Sequence, residues 1–141
     1  MSYGGDRGSV YLEDARVLSQ RAYLGEQFVL RLQAPRAALR ATPGSFAHIA
    51  CDPSVPMRRP LSIMRASKTE GWLEFLYKPK GHGLHMLGRR QPGEIVSVLA
   101  PIGHGFTVDP ARPRLLALGG GVGIPPMIFL AEQVHADREL K

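Results

Sequence analysis

Two short stretches of this sequence carry residue types suited to holding a planar, phosphorylated ligand. The first is Arg58-Arg59-Pro60-Leu61-Ser62-Ile63. A guanidinium group can make paired, charge-assisted hydrogen bonds to phosphate oxygens. Pro60 disfavours helical geometry at Arg59, so this arginine is expected where a loop enters a strand. Ser62 lies two residues beyond Pro60 and therefore on the same strand face, where its hydroxyl could reach a polar ring atom of a ligand. Taken by themselves, a solvated arginine pair and an ordinary strand serine account for these residues more simply. The second stretch is Gly119-Gly120-Gly121-Val122-Gly123, set between an apolar run and a helix-compatible segment. Glycines allow backbone N–H groups to come close to an anion, and a following helix adds partial positive charge at its N-terminus. The match to Gly-x-Gly-x-x-Gly is incomplete, because Ile124 stands where the third glycine would fall. A glycine-rich turn with only a packing role is the alternative.

Other chemistries find little support. No acid/base dyad stands out. The five histidines are not spaced as metal ligands; His82 and His85 are three apart but lie in a glycine-broken stretch. Cys51 is the single cysteine, so it forms no internal disulfide and anchors no cluster alone. It falls in an apolar strand-like run and is expected to be a buried structural thiol. The net charge is +6, from 18 Lys+Arg against 12 Asp+Glu, and favours anionic partners. That charge alone would also fit a non-catalytic barrel binding anions or nucleic acid. Yet the arginines are dispersed and no block of five like charges occurs, so a phosphorylated cofactor fits better than nucleic acid.

These residues need elements to hold them. At 141 residues, 44% hydrophobic and 21% charged, the composition is that of a globular domain with a core of its own. No apolar run is long enough to span a bilayer. Met1–Asp6 lacks the layout of a secretory leader, so a cytoplasmic protein is the default expectation. Glycine and proline divide the chain into six short strand-like runs: 10–18, 27–32, 46–51, 61–65, 72–78 and 95–99. In the fifth, Trp72, Glu74, Leu76 and Lys78 share one face. Such spacing predicts an antiparallel barrel or sandwich. A short helix is expected over 83–90. After Pro110 the pattern changes: Arg114–Leu118 reads as a buried parallel strand and 127–135 as a helix with Met127, Leu130, Ala131 and Val134 on one face. Two domains follow, residues 1–110 as the β-barrel and 111–141 as the truncated first strand and helix of an α/β nucleotide-binding domain.

Several segments in order resemble the ferredoxin–NADP reductase superfamily. Arg59-Pro60-Leu61-Ser62 resembles its flavin motif and Pro43-Gly44-Ser45-Phe46 its strand entry. Tyr77-Lys78-Pro79-Lys80-Gly81-His82-Gly83-Leu84 is similar to its second flavin segment. Gln91-Pro92-Gly93-Glu94, Pro101-Ile102-Gly103-His104-Gly105-Phe106 and Gly119–Gly123 with Pro125-Pro126 follow in order. Within the superfamily the style is that of dihydroorotate dehydrogenase electron-transfer subunits, with flavodoxin-, ferredoxin- or hydrogenase-type reductases as alternatives. The resemblance implies a six-stranded antiparallel Greek-key barrel that binds FAD. It implies electron transfer between NAD(P)H and an iron–sulfur or partner-subunit acceptor, in pyrimidine biosynthesis. The two-iron two-sulfur cluster would be held by cysteines in a C-terminal part this chain lacks, and the partner would be a catalytic subunit or an electron-carrier protein.

Residue by residue, Arg59 would contact the FAD pyrophosphate or ribityl region, Pro60 and Leu61 would flank the flavin, and Ser62 would hydrogen-bond near N5. Tyr77 and Lys78 would line the ribityl–isoalloxazine side. Gly81, His82 and Gly83 would meet the phosphates through their backbone. Gly120, Gly121 and Gly123 would floor the junction of nicotinamide and flavin, and His104 would lie in a loop near the flavin rim. No protein group is expected to be catalytic and no metal ligand is expected in this chain.

Overall fold

The computed structural model describes residues 9–112 and 114–139. Its centre is one curled sheet of seven strands: β1 (Tyr11–Tyr23), β2 (Gln27–Gln33), β3 (Phe46–Ile49), β4 (Arg59–Ser62), β5 (Arg65–Ser67), β6 (Trp72–Tyr77) and β7 (Ile95–Ile102). The order across the sheet is β4-β3-β7-β1-β2-β6-β5, and every pairing is antiparallel. β1 is long because it serves two neighbours. Its first half, from Tyr11 to Arg16, pairs with β7, and its second, from Arg16 to Tyr23, pairs with β2. A bulge between Val17 and Ser19 bends it between the two. The Gln91–Glu94 turn fills that bend: Val17 N–H donates to Glu94 O at 2.8 Å and Gly93 N–H to Val17 O at 2.8 Å.

Alternation along the strands sends Ala15 and Val17, Leu30 and Leu32, Leu73 and Phe75, and Val96 and Val98 inward, where all are buried. Each large apolar side chain so buried stabilises the fold by about 1.5–3 kcal/mol. Cys51 sits in the same core, fully buried, with its thiol against Ile49 O at 3.7 Å. Burial pushes its pKa above the ordinary value, and the nearby Arg59 and Arg90 only partly oppose this. The native protein is therefore expected to resist a disulfide reagent such as DTNB at pH 8 and to react with it fully once unfolded in guanidinium; rapid native labelling would contradict the buried position.

The sheet has one strand more than the six read from sequence. The run 61–65 is split, because the chain crosses there from one sheet edge to the other. Ile63 N–H donates to Ser45 O at 3.2 Å, on the β3 side, and Met64 N–H donates to Glu74 O at 2.8 Å, on the β6 side. This two-residue crossing draws the edges together into a shell. Three helices accompany the sheet: α1 (Pro35–Arg40), α2 (Gly81–Gly88) and α3 (Ile124–Glu139). α1 has no counterpart in the sequence reading. Pro35 is in its first turn, and Glu13 of β1 accepts hydrogen bonds from Arg36 N–H at 3.1 Å and Ala37 N–H at 2.9 Å. A carboxylate from a distant strand thus takes up donors that a helix start leaves free.

The expected strand over Arg114–Leu118 is not formed. Those residues have no ladder partner among the described residues, and Leu116 and Leu118 are 81% and 78% exposed. A parallel strand is defined by its neighbours, and no described segment supplies one. The helix after it does form and starts earlier than expected, at Ile124. It is tied to the sheet through a row of charges on three strands, β2, β6 and β5, which Ser19 of β1 extends. Ser19 faces Arg31, Arg31 faces Glu74 and Glu74 faces Arg65 in register. Arg31 Nη2 lies 2.7 Å from Glu74 Oε2, Arg65 Nη1 lies 3.1 Å from Glu74 Oε1, and Arg65 Nε reaches Glu132 Oε1 of α3 at 2.8 Å. Glu74 is buried, and these two guanidinium groups supply the counter-charge that burial requires.

Candidate ligand-binding site

The two arginines at the entrance to β4 take different parts. Arg58 turns into the sheet: its Nη1 donates to Ser97 O at 3.0 Å and its Nη2 to Ser97 Oγ at 2.8 Å, with a longer contact to His48 O at 3.4 Å. It ties β4 to β3 and β7. Arg59 keeps most of its side-chain donors, because among the described residues only Nη1 is engaged, to Met57 O at 3.1 Å. Its side chain lies along the first turn of α2, where a Cβ on Gly83 would stand 3.2 Å from Arg59 Nε. Glycine at 83 thus leaves room for the arginine. Gly81, with φ at +76°, turns the chain into α2 in a conformation that favours glycine. His82 is exposed beside it.

Beyond Arg59, a cavity of about 530 Å³ is lined by Pro60, Leu61 and Ser62 of β4, by Leu76, Tyr77, Lys78 and Lys80, by Leu84 of α2, and by Gly120, Gly121 and Val122. The size falls within the range of small-molecule sites, about 300–1,000 Å³. Three segments separated widely in sequence therefore meet in one cleft, and seven of the expected residues line it: Pro60, Leu61, Ser62, Tyr77, Lys78, Gly120 and Gly121. Arg59, Gly81, His82 and Gly83 stand at the adjoining start of α2, outside the lining. Gly123 closes the 3-10 turn Gly121–Gly123 that leads into α3. Lys80, Leu76, Leu84 and Val122 were not expected. Leu76 and Lys80 continue the alternation of Lys78, which is the signal that could have found them.

The chemistry of the lining suits a ligand with an apolar ring system and an anionic tail. Leu61, Leu76 and Leu84 give an apolar surface. Ser62 Oγ has no hydrogen bond to any described residue, and Lys78 and Lys80 have no ion-pair partner among them. Opposite, a Cβ built on Gly120, Gly121 or Gly123 would meet nothing within 4 Å, so this backbone is open to the cleft. Gly119 differs, since a Cβ there would lie 3.1 Å from Gly123 O and from Ile124 Cα. The loop thus divides into one glycine that packs and three that leave space. FAD, with a tricyclic ring and a pyrophosphate, fits these features.

Tyr77 lines the cleft through its position but not with a free hydroxyl. Its side chain is 1% exposed, its ring stacks on Phe28 at 5.7 Å between centroids, and its hydroxyl donates to Gln20 Oε1 at 3.3 Å. Burial pushes its pKa well above the ordinary value, and the Gln20 hydrogen bond opposes this only in part. A phenol whose pKa is raised by folding contributes stability that is fully present below its unfolded pKa of about 10 and is lost as pH rises further. Stability measured by urea unfolding is expected to fall above pH 10, and Tyr77→Phe is expected to flatten that fall. A variant with the same alkaline slope as the parent would contradict this.

A larger cavity of about 830 Å³ lies between Thr42-Pro43, the Gly105–Pro110 loop and α3, and contains none of the expected residues. The glycine that opens that loop serves packing. A Cβ on Gly105 would lie 2.6 Å from Thr42 Oγ1, and Phe106 N–H donates to Pro43 O at 2.9 Å. His104 is an exposed loop residue. Among the described residues no group of histidine, cysteine or carboxylate side chains could hold a metal ion, and no helix is long and apolar enough to cross a membrane.

A curled antiparallel sheet with a cleft between its Arg-Pro-Leu-Ser edge and a glycine turn defines the class: the fold is that of the ferredoxin-reductase type. Ferredoxin reductase in carbazole 1,9a-dioxygenase superposes with a TM-score of 0.77 at 25% identity, over 91% of this chain and 40% of that one. An NADH-dependent reduced ferredoxin–NADP oxidoreductase gives a TM-score of 0.79 at 22% identity, over 88% of this chain and 45% of that one. No family model matches the chain. In sequence it is homologous to electron transfer subunits of dihydroorotate dehydrogenase B (NAD(+)). That of Geobacillus thermodenitrificans (strain NG80-2) is 40% identical over 128 residues, 86% of this chain and 49% of the relative. That of Desulforamulus reducens (strain ATCC BAA-1160 / DSM 100696 / MI-1) is 33% identical over 125 residues, 86% of this chain and 47% of the relative. The chain thus spans about half the length of the curated relatives it matches.

Proposed function

We propose that this chain is the flavin-binding part of an electron-transfer flavoprotein that passes electrons between NAD(P)H and an iron–sulfur or partner-subunit acceptor, as the electron-transfer subunit of a dihydroorotate dehydrogenase. The observation that carries this reading is the cleft itself, which joins Pro60-Leu61-Ser62, Lys78, Lys80 and Gly120-Gly121 around a hydroxyl and two cations that have no partner among the described residues. The names of the relatives and the shared fold support it. In this reading residues 1–110 form the FAD-binding domain and 111–141 begin the NAD(P)-binding domain.

Leu61 and Pro60 would bear on the ring, Ser62 would offer its hydroxyl to the ring edge, and Lys78 would lie along the ribityl side. Arg59 and the backbone of Gly81, His82 and Gly83 would take the pyrophosphate. Gly120, Gly121 and Gly123 would leave space on the opposite side for a nicotinamide. Bound FAD supplies the hydride and single-electron chemistry, while the protein binds, orients and shields it. An iron–sulfur cluster and a catalytic subunit belong to the proposal for the longer protein.

The test is flavin binding. The full-length protein is expected to purify yellow or to take up FAD with micromolar or tighter affinity by fluorescence titration. A full-length protein with Arg59 intact that binds no flavin would overturn the proposal.

A further inference from the structure

On the exposed side of the sheet lies a third cavity, of about 280 Å³, that shares no lining residue with the cleft. Arg21 of β1, Arg31 of β2 and Arg65 of β5 line it, together with Ser19, Tyr23 and the carboxylate of Glu74. Three guanidinium groups from three strands thus face one carboxylate. Both oxygens of that carboxylate are already engaged, Oε2 by Arg31 and Oε1 by Arg65. Arg31 is further fixed by the Trp72 ring, 3.9 Å from its guanidinium carbon. The Arg21 side chain has no hydrogen bond and no ion pair with any described residue. The lining sets three arginines against Glu74, and with Glu132, which pairs with Arg65 from α3, the local excess is one positive charge.

We propose that this cavity binds a single oxyanion of the phosphate class, held by Arg21 with the remaining donors of Arg31 and Arg65. The excess positive charge, centred on Arg21, attracts an oxyanion. A tetrahedral anion accepts donors from several sides, whereas a planar carboxylate is satisfied by one guanidinium fork. The ordered Arg31–Glu74–Arg65 row presents two of the three arginines without the entropy cost of fixing free side chains. Arg65 also holds Glu132 of α3. The anion would therefore sit beside the ion pair that connects the sheet to the helix following the glycine turn.

Titration of the full chain with inorganic phosphate, at saturating FAD and at constant ionic strength maintained with chloride, tests this by amide NMR. Saturable shifts centred on Arg31, Glu74 and Arg65 are expected. Arg21→Gln, with an unchanged melting curve, should weaken them about tenfold or more, the scale of one charge-assisted hydrogen bond. Arg59→Gln should leave them unaltered. No saturable shift, an unchanged response in Arg21→Gln, or a response lost in Arg59→Gln would each overturn the assignment; the last would place the phosphate at the start of α2.

Discussion

Replacing Arg59 with alanine is expected to weaken FAD binding by about 1.5–3 kcal/mol, roughly ten- to a hundredfold in dissociation constant. The expectation rests on the economy of its contacts. One backbone carbonyl, Met57 O, is all that the Arg59 side chain satisfies among the described residues, so its remaining donors are available to a ligand. Because it contributes so little to the fold, thermal stability without ligand should hardly change. Fluorescence titration of the full-length variant beside its melting curve gives both readouts. Wild-type affinity in Arg59→Ala would remove this residue from the site.

The neighbouring arginine should behave in the opposite way. Arg58→Ala is expected to lower the unfolding free energy by about 1.5–3 kcal/mol, since charge-assisted hydrogen bonds to Ser97 O and Ser97 Oγ are lost, while Ser97 O keeps the Ala50 N–H as its donor. Flavin affinity, measured below the melting transition, should move little. Urea unfolding of Arg58→Ala and Arg59→Ala side by side separates the two. If Arg58→Ala leaves stability intact, its ties to β3 and β7 are worth less than their geometry indicates. Adjacent and identical in sequence, the two residues are told apart only by what surrounds them.

That pair also shows how far the sequence could be read. The antiparallel shell was legible because β2, β6 and β7 alternate regularly and turns separate them. The meeting of Pro60-Leu61-Ser62, Lys78 and Gly120-Gly121 was legible through the order of motifs. What escaped depends on contacts distant in sequence. α1 is short and its first turn is capped by Glu13, more than twenty residues earlier, so no local signal announces it. The split of the run 61–65 is invisible to periodicity, because each half of it pairs with a different edge. The run Arg114–Leu118 has the composition of a buried strand, but composition does not create a neighbour to pair with. Tyr77 lines the cleft, while its hydroxyl lies in the core against Gln20, a placement that the alternation of Leu73, Phe75 and Tyr77 already encodes.

The two-residue crossing at Ile63–Met64 places the join of the shell immediately after Ser62, at the rim of the cleft. An occupant of that rim would bind the closed shell and not the unfolded chain, and so would favour the closed shell. Free energy gained by occupancy, growing with the logarithm of ligand concentration over its dissociation constant, goes directly into keeping the shell shut.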